Sequence, residues 1–319
     1  MKAIIPVAGV GSRLRPHTYT LPKVLLNVAG KPIIGHIIDK IIAEGIKEAV
    51  VVVGYLGDMI EDYLTRHYDI HFTFVEQEER LGLGHAIWIT RQYVGEDPVL
   101  IILGDTIFEV DLSEVLRREH SALGVKAVED PRRFGVAEVQ DGFITQLVEK
   151  PEHPRSNLAV VGLYYIKRPA LLMECLDRNI QANLRTKGEF QLTDALQAMI
   201  ERGENSQLFL SKAGMIAASL KLCSRPMRNC SNLAHDTKIF SAASLTRQSI
   251  SPRTPKSKTL SLDHMPRLGS KAVVKNSLIK NSIVGEQARV ISMLLSESII
   301  GNNANVLGKL GASVSVISE

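Results

Sequence analysis

Apolar positions in the first third of the chain fall into two alternating kinds of run. Ala3-Ile4-Ile5-Pro6-Val7, Ala49 to Val53, Ile70 to Val75 and Pro98 to Leu103 are short and nearly unbroken, as expected of strands buried on both faces. Between them, Pro32 to Glu44 spaces its isoleucines at helical intervals and stops at Gly45, a natural C-cap. Asp58 to Arg66 and His85 to Tyr93 read as two further helices. The alternation predicts an α/β unit in which a parallel sheet is covered by helices on both faces. After Asp111 the pattern changes to a helix and then to strands with hairpin chemistry. Phe134 to Val139 and Phe143 to Glu149 flank Asp141-Gly142. Leu158 to Ile166 is another buried strand, and Pro169 to Asp177 and Phe190 to Arg202 are helices.

The pattern fails over residues 211–268, which are rich in Ser, Lys and Arg and show no sustained period. By itself such a stretch reads as a flexible linker. From Gly269 short apolar pairs return at near-hexapeptide spacing: Val273-Val274, Leu278-Ile279, Ile283-Val284 and Ile299-Ile300. They resemble the turns of a left-handed parallel β-helix, each of which buries its apolar positions only when stacked. The predicted organisation is therefore an α/β domain over residues 1–209, an aberrant, poorly ordered segment over 210–268, and a short β-helix over 269–319.

Charge and cysteine content narrow the partners. The net charge of +4 is local: residues 211–268 carry a surplus of eight positive charges, so the remainder is acidic. Basic residues there lack interleaved aromatics, and no nucleic-acid partner is expected. The three cysteines have no C-x-x-C spacing and leave an odd thiol, which suits a reducing cytoplasm and offers no metal knuckle. No apolar run reaches the roughly 18 residues of a membrane span, so no membrane partner is expected either. Homo-oligomer formation is left open.

Candidate chemistry sits at strand ends, where open sheets bind ligands. Val7-Ala8-Gly9-Val10-Gly11-Ser12-Arg13-Leu14 follows the first strand. Gly9 and Gly11 let backbone N–H groups approach an anion, Arg13 supplies a planar charged fork, and Lys23 adds a second cation. Taken alone, the segment reads equally as a tight turn with a solvated Arg. It lacks the Gly-Lys-Ser/Thr of a P-loop and the third glycine of a dinucleotide fingerprint. Asp105 closes Pro98 to Gly104 and offers hard oxygen for Mg²⁺, or a cap for the next turn. Without further context Gln77 reads as a surface polar residue, His85 as a helix-start residue, and Glu149-Lys150 as a solvated ion pair.

In combination these segments resemble the sugar nucleotidyltransferases, whose signature reads roughly A-G-x-G-x-R-L-x-P-x-T followed by P-K. The corresponding residues are Ala8, Gly9, Gly11, Arg13, Leu14, Pro16, Thr18, Pro22 and Lys23. The resemblance runs in order from residue 1 to about 209. It implies a Rossmann-like mixed, mostly parallel sheet and a transfer in which a sugar 1-phosphate attacks a nucleoside triphosphate and releases pyrophosphate. It gives Ala8, Gly9 and Gly11 to the triphosphate, and Gln77 with Gly82 to the edge of a pyrimidine base. Arg13, Lys23 and Asp105 are implied as catalytic, with Asp105 holding Mg²⁺. Gly135, Glu149, Lys150, Gly162, Tyr164 and Glu189 are implied around the sugar and its phosphate, while Asp194 serves structure. Several subfamilies append a left-handed β-helix. Within the family the features favour a glucose-1-phosphate thymidylyltransferase; a UTP–glucose-1-phosphate uridylyltransferase and a mannose-1-phosphate guanylyltransferase are the alternatives.

The resemblance breaks after Leu210. The family there carries Gly-Trp-Tyr-Asp-x-Gly-x-Pro-Glu, whose Asp is a second Mg²⁺ ligand, whereas this chain reads Ser211-Lys212-Ala213-Gly214-Met215-Ile216-Ala217-Ala218-Ser219. If each codon from Phe209 is regrouped as its third base plus the first two of the next, the stretch can spell Pro-Val-Glu-Gly-Trp-Tyr-Asp-Cys-Gly-Lys-Pro-Glu, with freedom mainly at wobble positions. The segment is thus expected to be translated out of frame. The last residues, Gly311 to Glu319, regroup by the same offset and hint at a second slip. Loss of one metal-ligating carboxylate implies weak or absent turnover, and an inactive nucleotide-binding or regulatory remnant is the competing outcome.

Overall fold

The computed structural model describes residues 1–210, 214–215 and 267–307, apart from 16, 29, 30, 270, 276, 281, 282, 292, 297, 298 and 302. The chain forms two compact units, Met1–Ser219 and Leu220–Glu319. The predicted segment 210–268 lies almost entirely outside the described residues. No described helix is long and apolar enough to cross a membrane.

The first unit opens with β1 (Lys2–Pro6), a small ribbon of β2 (Asn27–Val28) and β3 (Lys31–Pro32), and α1 (Ile33–Ala43). It continues through β4 (Glu48–Val53), α2 (Gly57–His67), β5 (His71–Glu76), α3 (Leu83–Trp88), β6 (Val99–Ile102), β7 (Thr106–Ile107) and α4 (Leu112–Leu116). Then follow β8 (Ser121–Ala127), the hairpin β9 (Gly135–Gln140) and β10 (Phe143–Glu149), β11 (Leu158–Ile166), α5 (Pro169–Gln181), α6 (Leu192–Glu201), β12 (Ser206–Leu210) and β13 (Gly214–Met215).

Nine strands form one sheet in the order β5-β4-β1-β6-β11-β8-β12-β10-β9. Successive residues of a strand point to opposite faces, and the core divides accordingly. Ile5, Val51 and Ile102 pack with Ile34, Ile37, Ile38 and Ile41 of α1 and with α2 and α4. Ile4 and Ile101 pack on the opposite face with Ile87 of α3 and with α5 and α6. Helices therefore cover both faces, as the periodicity predicts.

The sheet is more evenly mixed than expected. Pairings β5–β4, β4–β1, β1–β6 and β12–β8 are parallel, whereas β6–β11, β11–β8, β12–β10 and β10–β9 are antiparallel. The strand β8, at the centre of the second half, has no counterpart in the apolar pattern, because Ser121 and Gly124 interrupt it. Gly124 lies beneath Phe209, whose Cε2 is 3.1 Å from where a Cβ would stand. The helix expected over His85 to Tyr93 is also shorter. After Trp88 the Thr90 hydroxyl donates to the Ile87 carbonyl at 2.7 Å, and the chain continues as a 3-10 turn at Arg91–Tyr93. The α1 terminus follows expectation: Gly45 has φ 73°, its N–H donates to Ile42 O, and Ile46 N–H donates to Ile41 O.

The second unit contains β14 (Arg267–Leu268), β15 (Val273–Lys275), β16 (Leu278–Lys280), β17 (Ile283–Val284), β18 (Arg289–Ile291), β19 (Leu294–Ser296), β20 (Ile299–Ile300) and β21 (Asn305–Leu307). They stack in three parallel sets, β14-β17-β20, β15-β18-β21 and β16-β19. Val273 pairs with Arg289 and Arg289 with Asn305, so each rung advances sixteen residues. Val284, Ala288, Val290, Met293 and Leu295 are buried between the rungs. The regular stacking reaches back to Arg267, two residues before the expected boundary at Gly269.

Candidate active site

The loop after β1 is anchored at both ends. Val7 N–H donates to Val52 O at 2.8 Å, which continues the sheet by one residue, and Gly104 N–H donates to Pro6 O at 3.2 Å. Gly11 turns the chain with φ 61° into a 3-10 turn at Ser12–Leu14. The Thr18 hydroxyl donates to Gly11 O at 2.9 Å and closes the loop on itself. A Cβ on Gly11 would meet Thr18 Cγ2 at 3.0 Å and Lys23 Cβ at 3.1 Å, whereas a Cβ on Gly9 would meet nothing within 4 Å. Gly9 therefore faces open space.

That space is a cavity of about 510 Å³, lined by Ala8, Gly9, Gly11, Lys23, Gln77, Gly82, Asp105 and Glu189 among others. It brings together eight of the residues singled out in the sequence. The backbone of Arg13 lies in the Ser12–Leu14 turn, but its side chain is outside the described residues. Arg80 also lines the cavity and had no spacing to mark it.

Opposite charges meet at the floor. Lys23 Nζ lies 2.8 Å from Asp105 Oδ2, with the lysine side chain 13% exposed and the aspartate 45%. Strand β6 ends at Ile102, three residues before Asp105; Leu103 N–H still reaches Gly162 O of β11 at 2.9 Å, and the chain then turns, with Thr106 N–H donating to Leu103 O at 3.0 Å. Among the described residues no three ligating side chains converge on one point. Mg²⁺ commonly takes one or two carboxylates and completes its shell with substrate phosphates and water. Asp105, exposed at the cavity with Oδ1 lacking a partner among the described residues, fits one corner of such a site.

One wall carries Gln77, Gly82 and Glu189. Gln77 follows β5, with its N–H donating to Val53 O at 2.8 Å, and it is buried rather than on the surface. Its Nε2 lies 3.2 Å from Gly82 O and 3.1 Å from His85 Nδ1. The segment at Gly82 is fixed to the α5–α6 connection. Phe190 N–H donates to Leu81 O at 2.8 Å, and Gly84 N–H donates to Phe190 O at 2.7 Å. Glu189 thus reaches the cavity beside Gly82, and Gln191 Nε2 donates to its Oε2 at 3.1 Å.

The remaining candidates form a second group. Thr193 on α6 donates to Glu149 Oε2 at 2.7 Å, and Lys150 Nζ lies 3.2 Å from Glu149 Oε1. A Cβ on Gly135 would stand 2.9 Å from Thr193 Oγ1 and 3.2 Å from Glu149 Oε2, so the absent side chain leaves room for that contact. Gly162, φ 78°, marks the register shift of β11, where a Cβ would meet Leu103 and Thr106. Tyr164 is 4% exposed, packed in the core rather than lining the cavity. Burial raises its phenol pKa, and the charges of Glu149 and Asp105 raise it further, so its ring lies in the field of both carboxylates. Thr193, the donor that holds Glu149, was not apparent from the sequence, because the contact depends on how α6 packs on β10.

Comparisons with known proteins identify the family of this segment. The family model described as nucleotidyl transferase matches residues 2–214. UTP–glucose-1-phosphate uridylyltransferase AglF of Haloferax volcanii is 36% identical over 216 residues, covering 64% of this chain and 85% of that protein. Glucose-1-phosphate thymidylyltransferase of Streptomyces antibioticus is 35% identical over 216 residues, covering 65% of this chain and 59% of that protein. The chain likewise spans 58% and 47% of two other curated relatives. Among solved structures, a UDP-glucose pyrophosphorylase complexed with UDP-glucose superposes with a TM-score of 0.59 at 27% identity, covering 70% of this chain and 95% of that one. The glycine loop, the Lys23–Asp105 pair and the matched segment coincide in one unit, and the chain belongs to the nucleotidyl transferase family, its relatives being sugar nucleotidyltransferases.

Proposed function

We propose that the first unit binds a pyrimidine nucleoside triphosphate and a sugar 1-phosphate, and that its chemistry is their joining into a nucleotide sugar. A sugar-phosphate oxygen attacks the α-phosphorus, the bond from that phosphorus to the bridging oxygen breaks, and pyrophosphate leaves with the electron pair. The nucleophile is already an anion, so no general base is required, and catalysis is positioning plus charge neutralisation. The observation that carries this reading is the convergence of Gly9, Gly11, Lys23, Gln77 and Asp105 on one cavity.

In this reading the backbone at Ala8, Gly9 and Gly11 cradles triphosphate oxygens, Arg13 meets the leaving pyrophosphate and Lys23 the transferring phosphoryl group. Asp105 would hold Mg²⁺, which when bound supplies positive charge against the triphosphate. Lys150, oriented by Glu149, takes the sugar phosphate, while Gly135, Gly162, Tyr164 and Glu189 shape the sugar side. Glucose 1-phosphate with dTTP is the first pair to test. UTP is the second, since uracil and thymine present the same pairing edge and relatives of both kinds match.

We further propose that residues 210–268 are out of frame, supported by the family match ending at residue 214. Pyrophosphate release, measured across nucleotide and sugar-phosphate pairs, is expected to be weak in the chain as written and full in a frame-restored version. Robust release by the unrestored chain overturns the loss of turnover. Coding DNA that does not regroup to the missing motif overturns the frame reading.

A further inference from the structure

The Gln77 amide has one polarity that suits its surroundings. Gly82 O is a carbonyl, so the amide atom 3.2 Å from it has to be the NH₂ group. The same nitrogen lies 3.1 Å from His85 Nδ1, so its second hydrogen points there. His85 Nδ1 must then be the lone-pair nitrogen, with the ring neutral and its proton on Nε2. Both amide hydrogens are used, and the carbonyl oxygen Oε1 has no partner among the described residues. Gln77 lines the cavity while His85 does not, so the imidazole holds the amide from behind.

We infer that His85 is a positioning residue that locks the Gln77 amide with its oxygen toward the cavity, selecting a base with a ring N–H donor on its pairing edge. This deepens the nucleotide reading above and rests on it. Uracil and thymine carry such a donor at N3, whereas cytosine has an acceptor there. With His85 protonated, an N–H would face the amide NH₂. Rotating the amide would only set Oε1 against Gly82 O, so neither orientation is satisfied.

The surroundings favour the neutral ring. Burial lowers the His85 pKa below the usual histidine value; Glu79 from the preceding loop opposes this, while Arg185 and Arg91 act with it. Trp88, the single tryptophan of the chain, has its ring centroid 5.8 Å from that of His85 and so reports on its charge.

The test is equilibrium binding of UTP and CTP to the full chain, as wild type, His85→Asn and His85→Phe, between about pH 5 and pH 8. Taking the ratio of the two dissociation constants cancels ionisation of the phosphates, and the same ratio in His85→Asn corrects for protonation of cytosine N3 toward about pH 5. Wild type is expected to prefer UTP at pH 8 and to lose that preference as pH falls, with Trp88 fluorescence quenched in step. His85→Asn retains an acceptor at the Nδ1 position that does not titrate, so its ratio changes only by what protonation of cytosine accounts for, and it shows no quenching. His85→Phe loses about tenfold in the ratio at pH 8, the scale of one hydrogen bond, with pyrophosphate affinity unchanged. A folded His85→Phe that keeps the full ratio overturns the inference. So does a wild type that binds both nucleotides alike, which leaves nucleotide binding itself standing. A wild type that binds neither overturns the nucleotide reading and the inference with it. If His85→Phe does not fold, the wild-type and His85→Asn pH profiles decide: a wild-type ratio that falls no more steeply than that of His85→Asn overturns the inference.

Discussion

Gly82 tolerates no side chain. A Cβ there would stand 2.5 Å from Phe190 O and 2.8 Å from Glu189 Cβ, and its φ of 111° disfavours every other residue. Gly82→Ala is expected to cost about 2–4 kcal/mol in urea unfolding, because backbone has to move, and to weaken UTP binding, because Gly82 O orients Gln77. Asp194 offers a pH-dependent test. Its carboxyl pKa is raised, chiefly by burial and also by the charge of Glu149, against a hydrogen bond from Thr186 that lowers it. The folded state therefore holds this proton more tightly than the unfolded chain, and the stability it contributes at low pH is lost as pH rises through the raised value. Asp194→Asn should thus raise the urea midpoint at pH 7 and do little at pH 4; a larger gain at pH 4 contradicts the sign. At this scale the sequence was legible in placement: Gly9, Gly11, Lys23 and Asp105, marked by their spacing, line one cavity. It was opaque where a role depends on a neighbour brought by the fold, as with Thr193 on Glu149 or His85 on Gln77.

Elements followed the same division. Strands β1, β4 and β6 are apolar on both faces because helices cover both, and that continuity made them readable. Strand β8 is as central but carries Ser121 and Gly124, each required by contacts far along the chain: Ser121 donates to Glu204 at 2.6 Å, and Gly124 makes room for Phe209. Such residues read as loop until the partner is known. In the second unit the short apolar pairs were legible as repeats, while the sixteen-residue rung is set by pairing and by which side chains point inward. Val290, fully buried in β18, is paired with Val274 and Val306 on either side. Val290→Asp would place an uncompensated charge between rungs and is expected to destabilise this unit by about 3 kcal/mol or more, seen as rapid cleavage within 267–307 under limited proteolysis.

For the molecule as a whole, the prediction is a separation of binding from turnover: the chain as written should retain affinity for pyrimidine triphosphate while releasing pyrophosphate slowly, and calorimetry beside the release assay measures both. An absence of binding with full turnover in the restored version would instead place the defect in folding. One small pairing gives this outcome a physical basis. Gly214–Met215 runs antiparallel to Thr106–Ile107, with Met215 opposite Thr106, the residue after Asp105. Main-chain ladders are indifferent to the letters they carry, since every residue except proline brings the same N–H and C=O. The path of the chain can therefore survive a shift in frame that erases its side chains. Methionine has one codon, ending in G, and every isoleucine codon begins AT, so the triplet bridging Met215 and Ile216 is GAT whatever the gene's codon usage. It always spells aspartate: a carboxylate is written across those two positions in the nucleic acid and left unread, next to the backbone already laid beside Asp105.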